Sequence, residues 1–392
     1  MQIETVKAGD TLYAIGRTFG VDYRLLAWAN QIEPPYRLAA GQALFIPDGG
    51  WNRGGGKGAA GAEGARPVAW MGGYAYPWID PMVLEETADY LSGISVFSYG
   101  FTEEGDLVLP EAAGERRILA AAARRHVCPA LVLAPLGADG KFNNRLVSAL
   151  LQNLKAQRRL IGQLWNVAEA LGYGEINLDF EYVLAEDQTA FIEFVVCLRA
   201  VMNVFGIRVT VALAPKVSAD QRGLLYEGID YRGLGKAADG VFLMTYEWGY
   251  TYGPPMAVAP LHMVRRVAEY AVSEIEPGKI LLGIPNYGYD WPLPYERGVT
   301  RARSLGTQEA LRLAVDHGAE ILYDKTAQSP YFYYQDGDTR HVVWFEDIRS
   351  VSAKFALLKE LGLAGAGYWQ LMRLFRAAWL LAENEFRIWK ES

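Results

Sequence analysis

The sequence predicts an α/β protein: a (β/α)8 barrel with a small α+β insertion between strands 7 and 8, preceded by a small β-α-α-β unit. Three observations predict it. Eight apolar, β-rich runs alternate with amphipathic helical stretches beyond residue 67. The Gly/Ala-rich stretch "DGGWNRGGGKGAAGAEGARP" has no periodicity and divides those runs from the first 47 residues. The seventh-to-eighth interval is too long for one helix, and "QDGDT" breaks it into strands.

Residues 1–47 open with the short strand "IETVKA". A helix follows over "GDTLYAIGRTFGV", with Asp10 as its N-cap and Gly20 as its stop. "DYRLLAWAN" makes a second helix and "GQALFIP" a second strand. Residues 48–66 read as a linker, and 67–392 as the barrel, with the insertion over about 289–347.

The barrel strands are expected over 67–75, 94–101, 128–136, 175–183, 208–215, 240–246, 279–288 and 365–371. "NNRLVSALLQNLKAQRRLIGQLWNVAEALG" and "DQTAFIEFVVCLRAVMNVFG" are two of the helices between them.

Composition excludes several classes. The net charge of −7 argues against nucleic-acid or anionic-membrane partners. No apolar run approaches the ~20 residues that span a bilayer, and "MQIETVKAGDTL" enters a domain without a leader pattern. Cys128 and Cys197 sit in apolar surroundings and read as two buried free thiols. Four scattered histidines, without HExxH or CxxC, give no metal site, and no cofactor is called for. The 11 Trp and 23 Tyr exceed what a core needs and suit stacking on sugar faces, with aromatic-rich core packing as the plainer reading.

The chemistry is sought where barrel strands end. In "EINLDFEYV", Asn177, Asp179 and Glu181 alternate with Ile176, Leu178 and Phe180, so the three polar groups share one face. Asp179 and Glu181 stand about 6.6 Å apart along the strand, with Glu181 nearer the mouth. Adjacent buried carboxylates push each other's pKa apart, which keeps one protonated as a general acid. The structural alternative is a strand whose acids satisfy neighbouring loops. Tyr246, Glu247 and Trp248 end the sixth strand, and Trp369 ends the eighth. Tyr74, Tyr76, Tyr99, Pro215, Lys216, Asn286 and Tyr287 are further strand-end signals.

Residues 2–47 resemble a LysM module through "V-x-x-GDTL-x-x-I", "L-x-x-x-N" and "L-x-x-GQ-x-LFIP". That resemblance implies binding of N-acetylglucosamine-containing glycans at Gly9, Asp10, Thr11, Leu12, Asn30 and Ile32. Helix capping is the plainer role of Asp10 and Thr11, and the two are compatible.

Residues 67–392 resemble family 18 glycoside hydrolases. Asp179-x-Glu181 keeps the last half of the family's D-G-x-D-x-D-x-E, while Gly174, Glu175 and Asn177 depart from it. Met244-Thr245-Tyr246-Glu247 stands for M-x-Y-D, and Trp369 for the eighth-strand Trp. "LDFEYV", "MTYEWGYTYGPPMAVAP" and "GYWQL" are similar to the spore-germination, cortical-fragment-lytic branch.

The resemblance implies a spore N-acetylglucosaminidase acting on peptidoglycan by retaining, substrate-assisted catalysis. Glu181 is then the acid/base, Asp179 orients the substrate's acetamido group, Tyr246 bonds its oxygen and Trp369 lies under the sugar. Asn177, Glu247, Trp248, Asn286, Tyr287 and Tyr99 are expected to contact substrate. Asn177 can hydrogen-bond Asp179 without carrying charge, so Asp179 should be less raised in pKa than beside a second acid. Two other readings stay open: a chitinase or chitooligosaccharide hydrolase, and a non-catalytic glycan-binding protein. The oligomeric state is not legible.

Overall fold

In the computed structural model, residues 2–47, 66–137 and 139–390 are described. The stretch expected as a linker lies outside them except for Arg66.

Eight parallel strands close into a barrel: Val68–Ala75, Gly93–Phe101, Cys128–Leu133, Glu175–Leu178, Arg208–Leu213, Gly240–Leu243, Ile280–Pro285 and Gly365–Trp369. Closure comes from pairing of the first strand with both the second and the eighth. Alternation sets the layers. Ile176 and Leu178 face outward and are fully buried beneath the helices, while Asn177 and Asp179 face the barrel interior. The fourth strand is shorter than expected. Asp179 N–H still bonds Leu133 O, but the ladder stops at Leu178 and Tyr182 takes a left-handed φ of 55°.

The segment around 288–344 carries a five-stranded antiparallel sheet and the helix Thr307–Asp316, with its own small core around Leu305, Phe332 and Phe345. The helical run Ala185–Phe205 is long and apolar enough to cross a bilayer by length and composition, contrary to the sequence reading. Here its Phe191, Phe194, Val195, Leu198 and Met202 pack inward on the barrel. Cys197 lies on the exposed side of that helix, so only Cys128 is the buried thiol expected.

At the N-terminus, strands Gln2–Thr5 and Ala43–Ile46 pair antiparallel around helices Leu12–Phe19 and Tyr23–Ala29. Thr11, not Asp10, caps the first helix: its hydroxyl accepts from Ala14 N–H at 3.1 Å. Asp10 instead accepts from Lys7 N–H, tightening the preceding turn. Gly20 ends the helix in the left-handed region, as expected.

This unit docks on both the barrel and its insertion. Arg376 donates to Glu86 and to Trp28 O, and lies over the Trp28 ring at 4.8 Å. Gln31 Oε1 accepts from Arg376 N–H, and Arg37 pairs with Asp316 at 2.7 Å. Gly41 (φ 80°) sits so close that a Cβ would lie 1.8 Å from Ile321 O.

Candidate active site

A cavity of about 370 Å³ opens at the C-terminal mouth of the barrel. Seven residues singled out from sequence meet in it: Tyr74, Tyr76, Asp179, Glu181, Tyr246, Glu247 and Trp369. Each sits at or just past the end of a strand, where the ladder's release turns side chains toward the opening. Trp369 forms an apolar floor, edge-on to Phe97 at 5.0 Å and to Tyr74 at 5.4 Å.

The two acids stand in very different surroundings. Asp179 is buried, and its Oδ1 has no hydrogen-bond partner among the described residues. Burial first, and the Glu181 charge second, push its carboxyl up to about 8. Asn177 is not among the causes of this shift, and desolvation is the largest of them. Glu181 is half-buried, and it too is raised, by burial and then by Glu247. The pair thus holds a proton at neutral pH, the state a general acid requires. The Tyr246 hydroxyl is held well above its ordinary pKa by burial and by its acidic and phenolic neighbours, so it remains a donor.

Glu247 lies at the rim. It accepts from Tyr287 at 2.5 Å and from Tyr289 at 3.0 Å. Burial raises its carboxyl, while both hydroxyls act to lower it. Tyr287 therefore supports Glu247 from behind and is not among the residues lining the cavity.

Four more expected substrate contacts lie elsewhere. Tyr99 points outward, fully buried, and hydrogen-bonds Glu115 beside Tyr173. An irregularity in the ladder between Val96 and Tyr99 reverses the alternation that Phe97 would have set. Asn286 is buried and spends its amide on Gln370 O and Arg373 O. Trp248 packs against the main core. Asn177 lies below the site floor and bonds Tyr74 and Thr210, not Asp179.

The sequence reading missed Phe97, Phe142, Asn144, Tyr182, Phe242 and Met244 as lining residues. Phe97 and Phe242 are inward-facing strand residues that alternation could have found. Phe142, Asn144 and Tyr182 come from βα loops, which carry no periodic signal. Tyr74 and Tyr76, noted as strand-end signals, do line the cavity. Lys216 does not: its ammonium is tied to Ala219 O and Ile229 O.

Of the expected glycan contacts at the N-terminal unit, Gly9 and Thr11 are exposed and Asp10 is half-buried. Leu12 is core. Asn30 is buried, its amide donating to Leu26 O and Phe45 O and accepting from Phe45 N–H, which spends both of its donors inside the domain. Ile32 lines a cleft of about 190 Å³ against the helix Thr307–Asp316.

Residues 98–373 match glycosyl hydrolases family 18. The chain belongs to that family. Residues 5–47 match the LysM domain. The cortical fragment-lytic enzyme of Bacillus subtilis (strain 168) is 41% identical over 308 residues, covering 78% of this chain and 70% of that protein. The spore cortex-lytic enzyme SleL of Bacillus megaterium QM B1551 aligns in structure with a TM-score of 0.80 at 36% identity, covering 100% of this chain and 87% of that one. SleL of Bacillus cereus gives 0.80 at 32% identity, over 99% and 87%. The chain is thus a family 18 glycoside hydrolase with a LysM domain. Its departures from the family pattern now have places: Asn177 lies under the site, and Glu175 lines a second cavity at the barrel's opposite end.

Proposed function

We propose that this chain hydrolyses N-acetylglucosaminyl β-1,4 linkages in spore-cortex peptidoglycan or its fragments, in the spore, by retaining, substrate-assisted catalysis. The observation that carries the reading is Asp179 Oδ1: buried, unpartnered among the described residues and beside Glu181 in a sugar-sized cavity. A buried carboxyl left open in this way suits a ligand N–H. The names of the relatives, cortical fragment-lytic and spore cortex-lytic enzymes, supply the substrate class.

Glu181 delivers the proton that it shares with Asp179 to the glycosidic oxygen as the C1–O bond breaks, which leaves Asp179 ionised. The substrate's own acetamido oxygen attacks C1 and closes an oxazolinium ring. Asp179 accepts the acetamido N–H and offsets the ring's positive charge. Tyr246 donates to the acetamido oxygen and aligns it, and Trp369 supports the distorted sugar ring. Glu181, now a carboxylate, takes a proton from water as that water opens the oxazolinium at C1, so configuration is retained. The LysM domain holds the chain on insoluble glycan.

Replacing Glu181 with Gln tests this. Release of reducing ends from cortex fragments should fall by a factor of about 10²–10⁴ with binding retained; release at the wild-type rate would overturn the mechanism. Turnover of muropeptides is expected to exceed that of chitin oligomers, and the reverse result would reassign the substrate.

A further inference from the structure

The barrel's interior is underfilled beneath the active site. Gly72, Ser95, Thr210 and Gly367 line a second cavity, of about 450 Å³, at the N-terminal end, beside Trp70 and Trp389. A barrel of this kind usually fills such layers with bulky branched side chains. Across this space runs a line of hydrogen bonds that the proposed mechanism does not use. The Tyr74 hydroxyl donates to Asn177 Oδ1 at 3.0 Å. Asn177 Nδ2 donates to Thr210 Oγ1 at 2.8 Å. Thr210 donates to Glu175 Oε1 at 2.7 Å. Arg208 stands 3.3 Å from the other Glu175 oxygen.

The line has a direction, set at the bottom. Burial raises the Glu175 carboxyl while Arg208 and Thr210 act to lower it; with Arg208 on its other oxygen, Glu175 Oε1 accepts the single Thr210 hydrogen. The Thr210 oxygen must then accept, which turns the Asn177 amide nitrogen toward it and the amide oxygen toward Tyr74. Tyr74 spends its hydrogen on that oxygen. It lines the active site as well as the lower cavity, and after burial the Asp179 charge is the first cause that raises its pKa, so with its hydrogen spent on Asn177 it offers none to Asp179. A neighbour that can only accept favours a carboxyl that carries its proton.

We propose that Glu175 is a positioning residue: acting through Thr210 and Asn177, it fixes the direction of the Tyr74 hydroxyl and so keeps the proton on the Asp179–Glu181 pair. The inference rests on the reading of that pair as the working acids. The groups facing Asp179 are Tyr74 and Tyr76 from the first strand, Glu181 from its own, and Tyr246 with Glu247 after the sixth; the residues lining the cavity include no lysine or arginine. Around Glu175 stand Arg208 and Thr210 from the fifth strand and Asp239 before the sixth. Lys279 lines the same cavity, with its ammonium held by Gly235 O and Ala238 O. Once the line is cut, the Tyr74 hydrogen can turn to Asp179 and favour the ionised pair.

Thr210→Val cuts it with little change of shape. The alkaline limb of kcat/KM on soluble muropeptides should move to lower pH by about half a unit or more, the scale of one redirected hydrogen bond. Thr210→Ser should restore the wild-type limb, and Glu175→Gln should move it as Thr210→Val does. An infrared band of a protonated carboxyl, identified by its loss in Asp179→Asn, should titrate at lower pH in Thr210→Val than in wild type. A limb and a band that coincide with wild type in Thr210→Val would overturn the proposal. If the wild-type chain hydrolyses no muropeptide, the functional reading fails, and the infrared titration decides the proposal by itself.

Discussion

Tyr287 donates its hydroxyl to Glu247 Oε1 at 2.5 Å, so the carboxylate at the rim of the active site is held in place from behind. Tyr289 adds a second donor. After burial, the Glu247 charge is the main cause that raises Glu181. An anion beside Glu181 favours its protonated form, so removing the anion lowers the pKa. Glu247→Gln should therefore shift the alkaline limb of kcat/KM to lower pH by about half to one unit. Tyr287→Phe removes a donor that keeps Glu247 ionised. It should shift the limb in the same direction by less, and the double variant should show no more than Glu247→Gln alone. A pH–rate series on the three variants checks this, and an unmoved limb in Glu247→Gln would detach Glu247 from the acid.

The Asp179 carboxyl makes a separate prediction about stability. Its folded value of about 8 lies far above the unfolded value of ~3.9. Between those values the folded chain binds more protons than the unfolded one, so stability falls as pH rises through that window. Asp179→Asn keeps the shape and removes the charge. It should unfold at higher denaturant than wild type above pH 8, by on the order of 2 kcal/mol, and converge with wild type below pH 4. Hydrolysis should be lost at every pH. Chemical denaturation across pH measures the first effect, and equal stabilities at pH 9 would contradict the raised carboxyl.

Two tyrosines that look alike in sequence should separate cleanly. Tyr99 is buried outside the barrel on Glu115, whereas Tyr246 lines the active site. Tyr99→Phe should cost about 1–2 kcal/mol of stability, because it strips a partner from a buried carboxylate, and should leave kcat and KM unchanged. Tyr246→Phe should lower kcat by a factor of about 10–10³ with little change in stability. Paired melts and steady-state kinetics distinguish the two.

Those tyrosines also show how far the sequence could be read. The barrel and the LysM domain were legible because strand alternation, helix stops and spacing are local signals. Asp179, Glu181, Tyr246, Glu247 and Trp369 were legible because strand ends converge on one rim. Tyr99 was misplaced by a ladder irregularity at Val96–Tyr99, which alternation cannot register. Asn286 was misplaced because the carbonyls that claim its amide, of Gln370 and Arg373, lie some 85 residues away. Asn177 looked like a partner for Asp179, its neighbour two residues on. Thr210 and Tyr74 reached it first, and only the closed barrel brings those strands together.

The docking of the LysM domain gives the last test. Arg376 is largely buried, and it ties Glu86 to Trp28 O while covering the Trp28 ring. Glu86 is about one-third exposed (34%), so screening weakens that ion pair, and the contacts to Trp28 carry more of the effect. Arg376→Ala should cost about 1–2 kcal/mol and loosen the domain from the barrel. Arg376 does not line the active site, so kcat and KM on soluble muropeptides should stay within about twofold of wild type, within the ~0.5 kcal/mol scatter of a neutral change. Turnover of insoluble cortex should fall by more than that, since a domain held at a fixed angle presents the polymer to the barrel at a higher effective concentration. Calorimetry should resolve two transitions in the variant and a single one in the wild-type chain. A single transition with equal losses on both substrates would mean that Arg376 serves the barrel's own stability and not the orientation of the LysM domain.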